Sequence, residues 1–227
     1  MRINKYLAEK QYSTRRGADE LIEKGLVFIN GKKAELGQQV ESTDKVEVRA
    51  PKRSYRYFAY NKPRHIITHS PQGSEVDIES VSGIPGVFPI GRLDKDSHGL
   101  IILTDDGRVT DRLLNPDAEH DKEYRVTTVQ KLRPSFPEHM EKGVDIGGYV
   151  TKKCTVKTMG EKMFSITLSE GKKHQIRRMC AKLHVDIADL ERTRIMHVRL
   201  GSLKAGGHRE ILGAELAQFL SDLNLDA

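Results

Sequence analysis

The sequence predicts an α+β protein in two parts: a small N-terminal unit over residues 1–50, a linker at 51–56, and a larger domain over residues 57–227. Three features point there. Residues 1–50 carry a self-contained pattern of two short helices and a hairpin. Pro51-Lys52-Arg53-Ser54 then brings a proline and cations with no acidic residue, which reads as a connection between units. Beyond it, apolar strands and amphipathic helices alternate irregularly, without the regular period of a βαβ fold. A mixed, largely antiparallel central sheet flanked by helices is therefore expected.

In the first unit, Ile3, Tyr6 and Leu7 form one apolar helical stripe. Ser13 is placed to cap a second helix whose inward face is Ala18, Leu21 and Ile22 and whose stop is Gly25. Leu26 to Ile29 reads as a strand and Asn30-Gly31 as a tight two-residue turn, while Val46 and Val48 alternate in a later strand. Arg2, Lys5, Arg15, Arg16, Lys32 and Lys33 cluster on the helix starts and the turn. Most surface cations merely solvate. Double-basic steps repeated at a helix start and a turn also suit a phosphate-facing patch.

Tyr55 to Arg64 interleaves Tyr55, Tyr57, Phe58 and Tyr60 with cations. Such a stretch is either a stacking platform for bases or, more commonly, an entering strand with alternate rings in the core. Further strands are expected at residues 65–68, 100–103, 124–129, 151–158 and 163–168, and helices at 108–114, 135–141, 174–183 and 214–223. The helix from His174 turns Ile176, Met179, Cys180 and Leu183 inward. That sets Arg177 about a quarter turn from the core face, where the pattern alone favours a surface cation over one at a pocket edge, and leaves Arg178 and Lys182 toward solvent or backbone phosphate.

At 227 residues the chain can bury a sizeable core. Its net charge of +6, with the cations clustered, favours a polyanionic partner such as nucleic acid. Cys154 and Cys180 are too few for a disulfide framework or a zinc site by spacing and read as reduced, buried residues. His65 and His69 flank an apolar pair, and His174 and His184 lie too far apart, so no metal is expected. No apolar run is long enough to span a bilayer and no signal-peptide core is present, so a cytoplasmic protein is expected.

The most informative stretch is GRLDKDSHGLIILTDDG, from Gly91 to Gly107: two carboxylates at Asp94 and Asp96, a short apolar strand, then an Asp-Gly turn. Asp and Ser beside Gly are ordinary loop formers. A calcium loop would need an oxygen ligand where His98 stands and a helix where Leu100 to Leu103 form a strand. A phosphotransferase similar to the haloacid dehalogenases would need Thr or Val at His98.

The longer string GRLDKDSHGL resembles the central motif of the pseudouridine synthases, in the RsuA-like branch that modifies ribosomal RNA. Asn61-Lys62-Pro63 resembles that family's first motif, Lys122-Glu123-Tyr124 carries its tyrosine, and HQIRRM from His174 to Met179 its basic motif. TKKC at 151–154 and LERTRIM at 190–196 resemble the members that act on the large subunit. Residues 1–50 resemble an S4 RNA-binding domain across nearly their whole length.

The resemblance implies an isomerase that detaches uracil N1 from ribose C1′, rotates the base and rejoins it through C5. No cofactor is expected, because nothing is oxidised and no group is donated. Asp94 is implied as nucleophile or base, Arg177 as its ion-pair partner through two hydrogen bonds, and Tyr124 as the ring that stacks on the uracil, with Leu200 as the opposite apolar wall. Arg92 is a candidate for the displaced phosphate or the vacated stack, and Lys62 is placed among the substrate-binding residues. Asp96 is expected to cap its loop through backbone N–H groups. The implied partner is a stem-loop of ribosomal RNA, 23S by the large-subunit likeness, acted on by a monomer. The competing reading is a non-catalytic RNA-binding factor in ribosome assembly.

Overall fold

The computed structural model describes residues 1–51 and 54–225, so Lys52 and Arg53 of the expected linker lie outside the described residues. Helix α1 (Ile3–Glu9) turns Ile3 and Leu7 inward, toward the Ala18 and Ile22 face of α2 (Arg15–Glu23). The cap of α2 is Thr14 rather than Ser13: its side chain accepts the Gly17 N–H at 3.0 Å. Strands β1 (Val27–Ile29) and β2 (Lys32–Lys33) close through Asn30 and Gly31, at φ 51° and 79°. Two left-handed residues give the tight turn that matches strand twist. Strand β3 (Val46–Val48) returns antiparallel to β1. Among the described residues the buried cluster of this part runs from Ile3 to Val48 and takes none from the larger part. Hydrogen bonds tie it to the rest of the chain: Arg108 donates to the Gln11 carbonyl at 3.3 Å and the Gln11 amide to the Asn224 carbonyl at 2.6 Å.

The larger part runs β4 (Tyr57–Lys62), α3 (Ile78–Val81), β5 (Phe88–Ile90), β6 (His98–Thr104), α4 (Arg108–Leu114), β7 (Lys122–Thr128), α5 (Phe136–Glu141), β8 (Thr155–Gly160), β9 (Met163–Leu168), α6 (Gln175–Lys182), β10 (Ile187–Ile195), β11 (Val198–Arg199), β12 (His208–Glu210) and α7 (Gly213–Asp222). One sheet takes the order β12-β4-β6-β10-β7-β9-β8, with β5 beside β6 and β11 beside β10. Among the described strands β6 and β10 pair parallel and the other neighbours antiparallel, so the sheet is mixed and largely antiparallel, and the class is α+β.

Period-2 alternation explains how the sheet centre is buried on both faces. On β6, Leu100 and Ile102 pack with Val109 and Leu113 of α4 and Phe219 and Leu220 of α7, while Ile101 and Leu103 pack with Ile78, Ile84 and Val87. Strand β4 divides likewise, with Tyr57 and Ala59 on the first face and Phe58 and Tyr60 on the second. The aromatic interleaving is thus an entering strand; Tyr57 and Tyr60 are buried and form no stacking platform. A third cluster joins α5 and α6 to β7 and β9.

Several expectations need correction. Residues 65–68 form a loop, with His65 left-handed at φ 66° and only an isolated bridge from Ile67 to Asp77. The strand expected from 151 begins at Thr155, because the Thr151 hydroxyl accepts the Val144 N–H at 2.9 Å and the Lys152 N–H is drawn to Glu170 at 2.9 Å. Strand β10 has no counterpart among the expected strands, since its IADLERTRI buries Glu191 and Arg192 where a strand pattern would show apolar letters. Both cysteines are free; Cys180 is buried and Cys154 only half-buried.

Gly99 lies at φ 103° where β6 meets β10, and a Cβ there would stand 2.7 Å from the Arg192 nitrogen. Only glycine permits that approach. Gly99→Ala is therefore expected to destabilise the protein by more than about 1 kcal/mol, read as a lowered urea midpoint. An unchanged midpoint would mean that the strand pair accommodates a side chain.

Candidate active site

The loop between β5 and β6 presents Asp94, and it is braced from two sides. On one, the Leu93 N–H donates to the Thr68 hydroxyl oxygen at 3.0 Å and its carbonyl accepts from the same hydroxyl at 2.9 Å. From below, Lys62 at the end of β4 is fully buried, and its Nζ reaches the carbonyls of Ser97 (2.8 Å), Pro63 (3.0 Å), Asp94 (3.2 Å) and Lys95 (3.4 Å). Burial lowers its pKa to about 8, with the charges of Asp94 and Asp96 opposing that shift. Lys62 is therefore a strut of the loop and not a substrate-binding residue, because its ammonium is consumed by backbone.

The Asp94 side chain, about a third exposed, borders a cavity of about 680 Å³, within the roughly 300–1,000 Å³ of small-ligand sites. Its Oδ2 stands 4.0 Å from Arg177 Nε and its Oδ1 3.8 Å from His174 Nε2. The expected pairing through two hydrogen bonds is replaced by this looser contact, since Arg177 Nη2 instead donates to the Ser97 hydroxyl at 3.3 Å. His174 is a neighbour of Asp94 that the sequence does not announce. It sits left-handed, φ 53°, at the start of α6, a position that helical periodicity does not describe.

Tyr124 of β7 lies directly opposite Arg192 of β10, and both line the cavity together with Leu190. Leu190, two residues before Arg192, supplies apolar wall. Leu200 does not: it packs in the cluster beneath α7, outside the lining. Arg92 is exposed on the lining loop. Asp96 has no backbone hydrogen bond through its carboxylate among the described residues; it is three-quarters exposed, 3.6 Å from His65 Nδ1, so it does not cap the loop. Ser97 closes the turn instead, its N–H donating to the Asp94 carbonyl at 3.0 Å. Arg2, Lys5, Arg15, Arg16, Lys32 and Lys33 are all exposed, and Lys5 pairs with Glu9 at 3.7 Å. Among the described residues no group of three or more His, Cys, Asp or Glu converges as a metal site requires.

A carboxylate flanked by Arg177 and His174, with an aromatic ring and an apolar wall in the same cavity, can hold a planar base and attack beside it. Residues 56–182 match the family model described as RNA pseudouridylate synthase, and residues 1–46 match the S4 domain. The chain belongs to the RNA pseudouridylate synthase family. It is 42% identical over 223 residues to the dual-specificity RNA pseudouridine synthase RluF of Escherichia coli (strain K12), covering 95% of this chain and 77% of the relative. It is 32% identical to the ribosomal large subunit pseudouridine synthase B of Bacillus subtilis (strain 168), covering 95% of this chain and 93% of that one. A crystal structure of a pseudouridylate synthase superposes with a TM-score of 0.72 at 27% identity, over 96% of this chain and 99% of that one. The protein is thus a pseudouridine synthase, and the reading as a non-catalytic assembly factor falls.

In this pseudouridine synthase the strut beneath Asp94 is open to test. Lys62→Met keeps the bulk but leaves several loop carbonyls unpaired, each costing about 1–3 kcal/mol if it stays buried. The expected result is a lowered urea midpoint together with a turnover loss. A variant with parental stability and rate would remove Lys62 from the loop's support.

Proposed function

We propose that this pseudouridine synthase isomerises a uridine in a stem-loop of ribosomal RNA, with 23S RNA of the large subunit as the substrate. The observation that carries the reading is Asp94 on its braced loop, beside Arg177 and His174 and in one cavity with Tyr124. The name of the Bacillus subtilis relative supports the large subunit. In this reading Asp94 acts as nucleophile at C1′ or as base beside it. The C1′–N1 bond breaks, its electron pair passes to uracil, the base turns, C5 bonds to C1′ and loses its proton, and N1 gains one.

Stacked RNA hides C1′ and C5, so the uridine leaves the stack at a cost of a few kcal/mol. Loops reduce that cost. The extruded base lies on Tyr124 with Leu190 as apolar wall, and Arg92 meets the displaced phosphate or fills the vacated stack. Residues 1–50 act as a separate S4 unit on a linker at 51–56, ahead of a catalytic domain at 57–227. Arg2, Lys5, Arg15, Arg16, Lys32 and Lys33 contact phosphates there, which positions RNA without reading its sequence. The enzyme works as a monomer in the cytoplasm and without a cofactor.

The deciding experiment is tritium release from ribosomal RNA labelled with uridine-5-³H. Asp94→Asn is expected to abolish release while RNA binding persists, because a near-isosteric amide is neither an anionic nucleophile nor a base. Asp96 is exposed and its carboxylate bonds no backbone group among the described residues, so Asp96→Asn is expected to stay close to parental rate. Substantial turnover by Asp94→Asn, or a dead Asp96→Asn, would overturn the assignment.

RNA affinity is expected to fall steeply with salt. Neutralising Arg15 and Arg16 together should reduce the log–log slope by about 1–2, close to one for each phosphate that is no longer neutralised. An unchanged slope would take the start of α2 out of the RNA footprint.

A further inference from the structure

Two cations of the cavity, Lys122 and Arg192, take no part in the steps assigned to Asp94. Lys122 and Tyr124 are two residues apart on β7 and so share one face of the sheet. Arg192 is the direct partner of Tyr124 across the β7–β10 pair, and directly opposed side chains stand on the same face about 4.5–5.5 Å apart at Cβ. All three line the cavity. The Arg192 guanidinium is buried: Nε donates to the Leu100 carbonyl at 2.7 Å, Nη1 to the Arg92 carbonyl at 3.5 Å, and Nη2 has no hydrogen-bond partner among the described residues. Lys122 Nζ donates to the His120 carbonyl at 2.8 Å, and an ammonium has three protons to give. Neither cation pairs with a carboxylate within 4.0 Å among the described residues. Buried donors without acceptors are costly, and the cost is offset when a ligand brings the acceptors.

We infer that Lys122 and Arg192 form a cationic floor that receives the carbonyl oxygens of the extruded uracil and stabilises the charge the base acquires as N1 leaves C1′. The inference rests on the isomerisation proposed at Asp94. In the intact nucleoside uracil is neutral. When the C1′–N1 bond breaks, its electron pair enters the ring and spreads over N1, O2 and O4, so donors at O2 and O4 bind the departing base more strongly than the resting one. That difference lowers the barrier. The charge is returned when C5 bonds to C1′ and N1 is protonated, so the floor is not consumed. The same floor disfavours cytosine, whose C4 amino group would set donor against donor.

Burial and the neighbouring Arg192 lower the pKa of Lys122 to about 8, against the charge of Asp121. The other titratable groups around the cavity include Asp94, Glu170, His174 and Arg177. A lysine acts here only while protonated, so its contribution is present below about pH 8 and lost as pH rises through that value. Lys62 titrates in the same range but is present in every variant, so its effect cancels in a ratio of rates.

The test is single-turnover tritium release from ribosomal RNA labelled with uridine-5-³H. The parent must release tritium and Asp94→Asn must not; failure there overturns the proposed reaction itself. Given both, Lys122→Met is expected to slow the single-turnover rate about 10²–10³-fold at pH 7, the loss usual for one donor to a developing anion. RNA affinity should stay within about twofold. The ratio of parental to variant rate should shrink toward one above about pH 9, and Lys122→Arg should recover most of the rate and keep it there. Arg192→Met, with folding confirmed by its urea midpoint, should show the same separation of rate from affinity. A parental rate in Lys122→Met, a loss confined to affinity, or a ratio that does not change with pH would each overturn the cationic floor.

Discussion

A buried ammonium under a loop of carbonyls is the constraint on which the rest of the site depends. Lys62 has no carboxylate within 4.0 Å among the described residues, yet it is fully buried and bonded to backbone oxygens of Pro63, Asp94, Lys95 and Ser97. A charge in that position is unfavourable unless its protons are all engaged, and here the loop must fold over it to engage them. The conformation of residues 94–97 is thereby tied to the end of β4, a strand buried on both faces. Thr68 fixes the other shoulder at Leu93. With the backbone held from two sides, the Asp94 carboxylate needs no support of its own and remains available to substrate.

What was legible in the sequence follows from where apolar periodicity and turn chemistry operate. The Asn30-Gly31 turn, the apolar run of β6 and the inward stripe of α6 each rest on a local rule, and each is found. Strand β10 was hidden because its buried positions are Glu191 and Arg192, satisfied by long-range partners that no local pattern displays. Arg192 bonds to the carbonyl of Leu100 on a strand far away in sequence, and Glu191 pairs with Arg125. The wrong apolar wall has the same origin. Without β10, Leu190 has no face to belong to, and Leu200 rests on the family resemblance alone.

The partners of Asp94 were legible in kind but not in geometry. The spacing of α6 sets Arg177 about a quarter turn from the core and fits a surface cation equally well; the family resemblance puts it beside Asp94, and it lines the cavity there. Neither specifies that the guanidinium turns to the Ser97 hydroxyl, nor that His174 leaves the helix left-handed and approaches the other carboxylate oxygen. Both details are set by where the Asp94 loop and the start of α6 meet, across about eighty residues of chain.

An ion pair at 4.0 Å with both side chains about a third exposed is a weak interaction, and this bears on how the site would work. Its strength depends on the water around it, because the same two charges attract several-fold more strongly at an effective dielectric near 20 than in bulk water. A base seated on Tyr124 would displace water from the cavity that Asp94, His174 and Arg177 border. The attraction would then rise when the substrate arrives, drawing the carboxylate into register as the reacting atoms come together. A tightly paired Asp94 would be oriented beforehand but less free to bond elsewhere; a loosely paired one on a rigid backbone keeps its carboxylate oxygens free until the base itself excludes the solvent.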